Sequence, residues 1–302
     1  MKRRDFLQTA LAGGFAVFCP AVAEPSRFTL WQLPCHSAES QNGTYSFNTP
    51  DGRRIEMPFK SNSYVFRTVN GKLAVMDGGC PPEAEYLRSF LKERGNIVDA
   101  WFLSHPHTDH TGAFHEILRE PEGLTIKKIY HSEFSRTFYE SVEPKYVPMT
   151  RQLYRDLRRT ESEVVDLAEP QTIILDGVNF EILSVKNEEV KEDAYNNSSM
   201  VIRVSDAVRS CLFLADSGLK RGQELLAGKF RDRLNCDFIQ MAHHGENGVG
   251  REFYEAVKFR ACLWATTKNS MQHGGAGELR KWTEERGITK HFVSADGLAV
   301  VQ

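Results

Sequence analysis

The chain has 302 residues, 41% hydrophobic and 26% charged, with 38 Lys plus Arg against 40 Asp plus Glu. That composition is ordinary for a folded globular protein, and the length suits one large domain or two small ones. A formal net charge of −2 leaves no basic excess to hold nucleic acid and no acidic tail.

Residues 1–23 read as an export signal rather than as fold. Met1 to Gln8 is charged, Thr9 to Phe18 is weakly apolar, and Ala21-Val22-Ala23 is a small-residue cleavage pattern. The paired Arg3-Arg4 ahead of Phe6-Leu7 resembles a twin-arginine (Tat-type) signal, which implies a mature chain, residues 24–302, in the periplasm or a like extracytoplasmic space. The apolar run is too short to span a bilayer, and no later stretch is apolar enough. After Cys19, the cysteines are Cys35, Cys80, Cys211, Cys236 and Cys262, with no CxxC pair and no disulfide framework.

Phe28 to Leu33 alternates and predicts a first strand. Residues 41–60 are polar and turn-rich, with Asn42-Gly43 and Asp51-Gly52 as hairpin signals. Ser63 to Thr68 and Leu73 to Asp77 form a second hairpin around Asn70-Gly71. Pro81 opens a helix that turns Leu87, Phe90 and Leu91 to one face and ends at Gly95. Asp99 to Ser104 is a buried strand, Gly112 to Leu118 a short helix, and Ile126 to His131 another strand. The charged, aromatic-studded stretch 133–167 reads as an inserted helical cap or lid. Its Arg151, Arg155, Arg158 and Arg159 form either a solvated face or an anion-attracting rim.

The second half repeats the pattern of the first. Thr172 to Leu175 and Phe180 to Val185 pair around Asp176-Gly177, and Ser198 to Val204 pairs with Ser210 to Ala215. A helix follows over Leu219 to Leu234, then strands at Cys236 to Ala242 and Arg260 to Ala265 and a helix at Gly277 to Arg286. His291 to Ser294 and Ala299 to Val301 close the sheet. Two such halves predict an α/β (α+β) fold, a four-layer αββα sandwich of two mixed sheets with helices outside.

The chemistry concentrates in Ser104-His105-Pro106-His107-Thr108-Asp109-His110-Thr111-Gly112, directly after a strand. Imidazole and carboxylate together suit zinc, iron or manganese. Asp77, Asp216 and His243-His244 each stand at the end of a further predicted strand.

His105-Pro-His107-Thr-Asp109-His110, with Asp77, Asp216 and His243-His244 in that order, resembles the metallo-β-lactamase superfamily over residues 28–302. The resemblance implies two divalent ions, zinc first, with manganese or iron as the other candidates. His105 and His107 then bind one ion, Asp109 and His110 the other, and Asp216 bridges them. One of His243 and His244 completes the second site, and the other orients substrate or protonates a leaving group. Asp109, His243 and His244 are the catalytic candidates, and Asp77 supports the ligand loop from behind. Many members carry a further histidine before the bridging aspartate. Here Asn196-Asn197-Ser198-Ser199 stands in that region, similar to the branch of ComEC-type competence proteins and phosphorylcholine esterases. Asn196 and Asn197 are therefore candidates for supporting the site, and His273 for touching substrate.

The resemblance implies a hydroxide generated between two metals that attacks a phosphoester or phosphodiester. Hydrolysis of a lactam, lactone or thioester carbonyl, or a non-catalytic envelope binding protein retaining the fold, are the alternatives. The partner expected is a small-molecule or phosphoester substrate, with oligomeric state left open.

Overall fold

The structure, a computed structural model, describes residues 26–302. The export signal expected over residues 1–23 lies outside the described residues. Two seven-stranded sheets face each other. The first runs edge to edge through Glu163–Asp166, Lys128–His131, Ala100–Phe102, Leu73–Asp77, Ser63–Thr68, Phe28–Gln32 and Ala299–Val301. The second runs through Thr172–Leu175, Val178–Ser184, Val201–Ser205, Ser210–Phe213, Phe238–Gln240, Ala261–Trp264 and Lys290–Val293. Each sheet is antiparallel at its hairpin end and parallel at the other.

Strand alternation decides which face each side chain takes. Tyr64, Phe66, Met76 and Phe102 point between the sheets and meet Phe180, Ile202, Phe213 and Phe238. Phe102 stacks on Phe180 with ring centroids 4.8 Å apart, and Phe66 meets Phe213 edge-on at 5.6 Å. Each such ring contributes roughly 1.5–3 kcal/mol on burial. The alternate residues Val65, Val75 and Trp101 face outward against Leu87, Leu91, Phe114 and Ile117 of helices Ala84–Lys92 and Thr108–Arg119. Leu212, Ile239 and Trp264 do the same on the far side, under Leu225, Phe253 and Trp282. This is the four-layer αββα sandwich expected.

The topology also explains where chemistry collects. Leu73–Asp77 and Ala100–Phe102 run parallel, as do Ser210–Phe213 and Phe238–Gln240. All four deliver their following loops to one end of the sandwich, the end at which layered α/β folds place ligands.

Several boundaries differ from expectation. The helix expected over 219–234 stops at Ala227, before Gly228, and a short 3-10 turn Arg231–Arg233 follows. The helix expected at 112 begins at Thr108, because extended His107 already occupies its N-cap. The last helix runs Gly275–Glu284. Helices Arg251–Ala256 and Lys268–His273 are too short to print a period. Ala299–Val301 does not close the second sheet; it crosses to pair with Phe28–Gln32 in the first.

The stretch 133–167 packs into the fold as a structural layer. Helices Arg136–Val142 and Val147–Leu157 sink Phe138, Tyr139, Leu153, Tyr154 and Leu157 into the outer core beside Phe114. Strand Glu163–Asp166 then extends the first sheet parallel to Lys128–His131. Arg151 pairs with Glu140 and Arg158 with Glu133, each at 2.6 Å, so this basic cluster is a solvated face. The five cysteines from Cys35 onward are all free. No described helix is long and apolar enough to cross a membrane.

Candidate metal centre

The site is built where strands end, and the backbone there is strained. Asp77, Ala215, His243 and His244 all take positive φ, between 48° and 59°. Each such non-glycine residue costs about 1–3 kcal/mol and persists only where its surroundings hold it. Asp77 is held by accepting from the Ser104 backbone N–H at 2.8 Å, the Ser104 hydroxyl at 2.9 Å and Asn62 Nδ2 at 2.8 Å. Two glycines admit close packing. A Cβ on Gly112 would run into the Pro81 ring, and one on Gly245, at φ +85°, would sit 2.7 Å from the Trp264 indole.

Four histidines each spend one ring nitrogen on an outer partner, which fixes the other as a lone-pair donor. His244 Nδ1 donates to the Ala265 carbonyl at 2.7 Å. His110 Nδ1 donates to Asp77 Oδ2 at 2.7 Å. The Ser104 hydroxyl gives its proton to Asp77, so it accepts from His105 Nδ1 at 3.1 Å. His107 Nε2 donates to Glu143 Oε2 at 3.0 Å. Partners of this kind orient metal-binding imidazoles and raise their basicity.

The free nitrogens converge. His105 Nε2 and His107 Nδ1 face each other at 3.1 Å. With both protons assigned elsewhere, two lone pairs meet at that distance, which is repulsive unless a cation lies beside both. A tetrahedral shell with ~2.0–2.1 Å bonds has edges of about 3.3 Å, so the spacing is that of two ligands on one ion. His110 Nε2 and Asp216 Oδ1 lie 2.9 Å apart, buried, and neither has another hydrogen-bond partner. Donor atoms gather into two groups, His105, His107 and Asp216, and Asp109, His110, Asp216 and His244. These residues fit two divalent ions.

Electrostatics agree. Burial and the neighbouring His110 and His107 hold the His105 pKa well below the imidazole range. Burial would also depress His110, but Asp216 and Asp77 raise it well above the usual value. Burial opposes charge on His244 too, yet Asp216 and Asp109 push it up to about 9. Burial would raise Asp216; His110, His244 and His243 hold it well below the carboxylate range. Without metal, protons on imidazole bind this shell together.

Placement of the sequence candidates is specific. Of the histidine pair, His244 turns inward, fully buried, with Nε2 3.1 Å from Asp109 and 3.4 Å from Asp216. His243 stands partly exposed at the mouth, its Nε2 3.7 Å from Asp216. Asn196 and Asn197 bond to no donor of either group. Asn196 Nδ2 donates to Asp193 and Asn197 Nδ2 to the Glu192 carbonyl, while Asn197 Oδ1 accepts from Arg221 N–H. His273 is exposed at the end of its helix, with no hydrogen bond or ion pair to the cluster among the described residues. Sequence reasoning missed Glu143, and with it Asp193, which feels the charges of His243, Glu143 and His107. Tyr146 and Tyr195 were missed as well, their rings 4.2 Å and 5.2 Å from that of His107. A lone acid in a charged stretch carries no signal of its own.

An αββα sandwich with paired His/Asp donor groups at its strand ends defines a class of metal-binding proteins. A family model for the metallo-beta-lactamase superfamily matches residues 57–257, and the chain belongs to that superfamily. Its fold is similar to that of the metallo-beta-lactamase fold protein YhfI from Bacillus subtilis, at TM-score 0.55 and 12% identity over 92% of this chain and 100% of that one. Zn(2+)-bound PqqB from Methylobacterium extorquens is similar at TM-score 0.53 and 11% identity, over 91% of this chain and 99% of that one. The CmlA beta-hydroxylase is similar at TM-score 0.55 and 12% identity, over 92% of this chain but 55% of that one. No curated protein matches the chain by sequence. Superfamily and site together define a metal-dependent hydrolase.

Proposed function

We propose that this is a dinuclear hydrolase acting on a phosphodiester, with Asp216 bridging the two ions. The observation that carries the reading is Asp216 itself: one buried carboxylate common to both donor groups, with Oδ1 against His110 and Oδ2 against His244. Zinc suits four-coordinate imidazole and carboxylate best, with manganese or iron as alternatives. The similarly folded PqqB is described as Zn(2+)-bound, which supports zinc. Two such ions, when bound, lower the pKa of a water and polarise a substrate oxygen.

The chain's own residues do the rest. Asp109 offers a carboxylate oxygen to hold the attacking water. His243, at the mouth, hydrogen-bonds a substrate oxygen and gives a proton to the leaving group. The first donor group has three members, which leaves a position for substrate. Glu143 and Asp193 add negative charge beside it, so a monoanionic diester suits the centre better than a dianionic monoester. A second reading, hydrolysis of a lactam, lactone or thioester carbonyl, is favoured by one observation. Arg151 and Arg158 pair outward and Lys60 is engaged by Glu246 at 2.6 Å, which suits a less charged substrate.

The test is hydrolysis of a bis-aryl phosphodiester by purified protein, with and without chelator, beside a panel of lactones, lactams and thioesters. Turnover of the diester that chelation abolishes is expected. Turnover of the carbonyl panel alone selects the second reading, and metal uptake without any turnover selects a binding protein. Export rests on Arg3-Arg4 and Ala21-Val22-Ala23. A reporter fused to residues 1–28 should leave the cytoplasm, and changing Arg3 and Arg4 to Lys should stop it.

A further inference from the structure

The insertion over 133–167 reaches the site at Glu143 and Tyr146. Helix Arg136–Val142 ends at Glu143, whose Oε2 accepts from His107 Nε2 at 3.0 Å. Its other oxygen, Oε1, accepts from the Tyr195 backbone N–H at 2.8 Å. Tyr195 opens the segment in which a further histidine would have been expected. Tyr195 stacks on the His107 ring at 24° and Tyr146, from the same insertion, covers it at 41°. Two adjacent tyrosine rings thus pack against His107, and a carboxylate holds its outer nitrogen. Its only remaining freedom is the Nδ1 lone pair facing His105.

We propose that Glu143 is a positioning residue that locks His107 as the Nε2–H tautomer, so that the insertion compensates for the missing histidine by strengthening a ligand rather than by adding one. The argument rests on the metal-site reading above. Two histidines and a shared carboxylate hold an ion less firmly than three histidines and that carboxylate. A carboxylate behind His107 raises imidazole basicity and removes the entropy of ring rotation and tautomer exchange before metal arrives. The neutral partners of His105 and His244, a hydroxyl and a carbonyl, give less of the first effect. Only His110, through Asp77, has an equivalent partner, and it serves the other ion. Each ion therefore has one carboxylate-backed imidazole, one backed from the first sheet and one from the insertion.

The test is metal affinity, read separately for the two ions by chelator competition and by the absorption bands of the cobalt-loaded protein. Glu143→Ala should weaken the first ion 10- to 100-fold and leave the second unchanged. Glu143→Gln, which keeps an acceptor oxygen but loses the charge, should fall between. Because Glu143 also holds Tyr195, Asn197→Ala serves as a control that loosens the same loop without touching His107, and it should retain the first ion. The proposal is overturned if Glu143→Ala, folded by circular dichroism, keeps both ions at wild-type affinity. It is equally overturned if Asn197→Ala loses the first ion as readily. A wild-type protein that takes up only one ion instead sinks the dinuclear reading beneath it.

Discussion

Asp77 Oδ2 lies 2.7 Å from His110 Nδ1, and neither side chain has any exposure to solvent. Asp77 also accepts from Ser104 twice and from Asn62, so one carboxylate satisfies four buried donors. Asp77→Ala strands all of them and should cost about 3–5 kcal/mol. Asp77→Asn offers a single acceptor oxygen and should recover only part of that. Urea unfolding of metal-free protein measures the stability loss. Elemental analysis should show the ion near His110 lost before the ion near His105.

The two adjacent histidines separate by experiment. His244→Ala removes a buried donor of the second group and should reduce bound metal toward one equivalent. His243→Ala leaves both donor groups intact, so metal content should hold while kcat falls about 10²–10⁴-fold, the usual contribution of a positioned proton donor. Asp216→Ala should lose both ions. Unchanged metal content in that variant removes the bridging assignment.

Much of this site was readable in advance because its residues sit at strand ends, where a continuous, fully buried apolar run stops. Asp77, His105 to His110, Asp216 and His243-His244 each follow such a stop. What could not be read depends on contacts distant in sequence. His244 rather than His243 turns inward because Ala265, 21 residues on, presents a carbonyl to its Nδ1 and Gly245 lets the turn close on Trp264. Glu143 lies 36 residues from His107 and is one acid among many in a charged stretch. Phe134, Phe138, Tyr139 and Tyr154 of the charged stretch are all buried, because two separate helices turn their apolar faces to the same outer core.

A surface network gives a pH prediction independent of metal. Glu181 accepts from Arg203 at 2.8 Å and from Arg233 Nε at 2.9 Å, joining Val178–Ser184 to Val201–Ser205 and to the turn Arg231–Arg233. Burial alone would raise its pKa, but the bonds from Arg233 and the charge of Arg203 hold it below the ordinary 4.5. A carboxyl depressed on folding contributes stability in full above its unfolded pKa and loses it as pH falls through the folded value. Glu181→Gln should therefore lower stability at pH 7 by on the order of 1 kcal/mol. The gap between the two proteins should narrow as pH falls below 4.5 in thermal melts followed across pH.

Chelation should destabilise the protein more at high pH than at low. In metal-free protein, His244 has its pKa pushed up to about 9, against an ordinary 6.5, by Asp216 and Asp109 overcoming burial. A raised imidazole contributes its stability fully below pH 6.5 and loses it as pH climbs through 9. Deprotonated, His244 Nε2 aims a lone pair at Asp109 and Asp216, and that contact turns from attractive to repulsive. Bound metal replaces that proton and does not titrate away over the same range. The melting temperature of chelated protein should therefore fall between pH 6.5 and 9, by an amount corresponding to a few kcal/mol at most, on the order of the His244 shift. Metal-loaded protein should stay level over that window, so the gap between the two curves widens with pH. Parallel curves would show that His244 takes no part in holding the metal-free shell together, and would remove it from the second donor group.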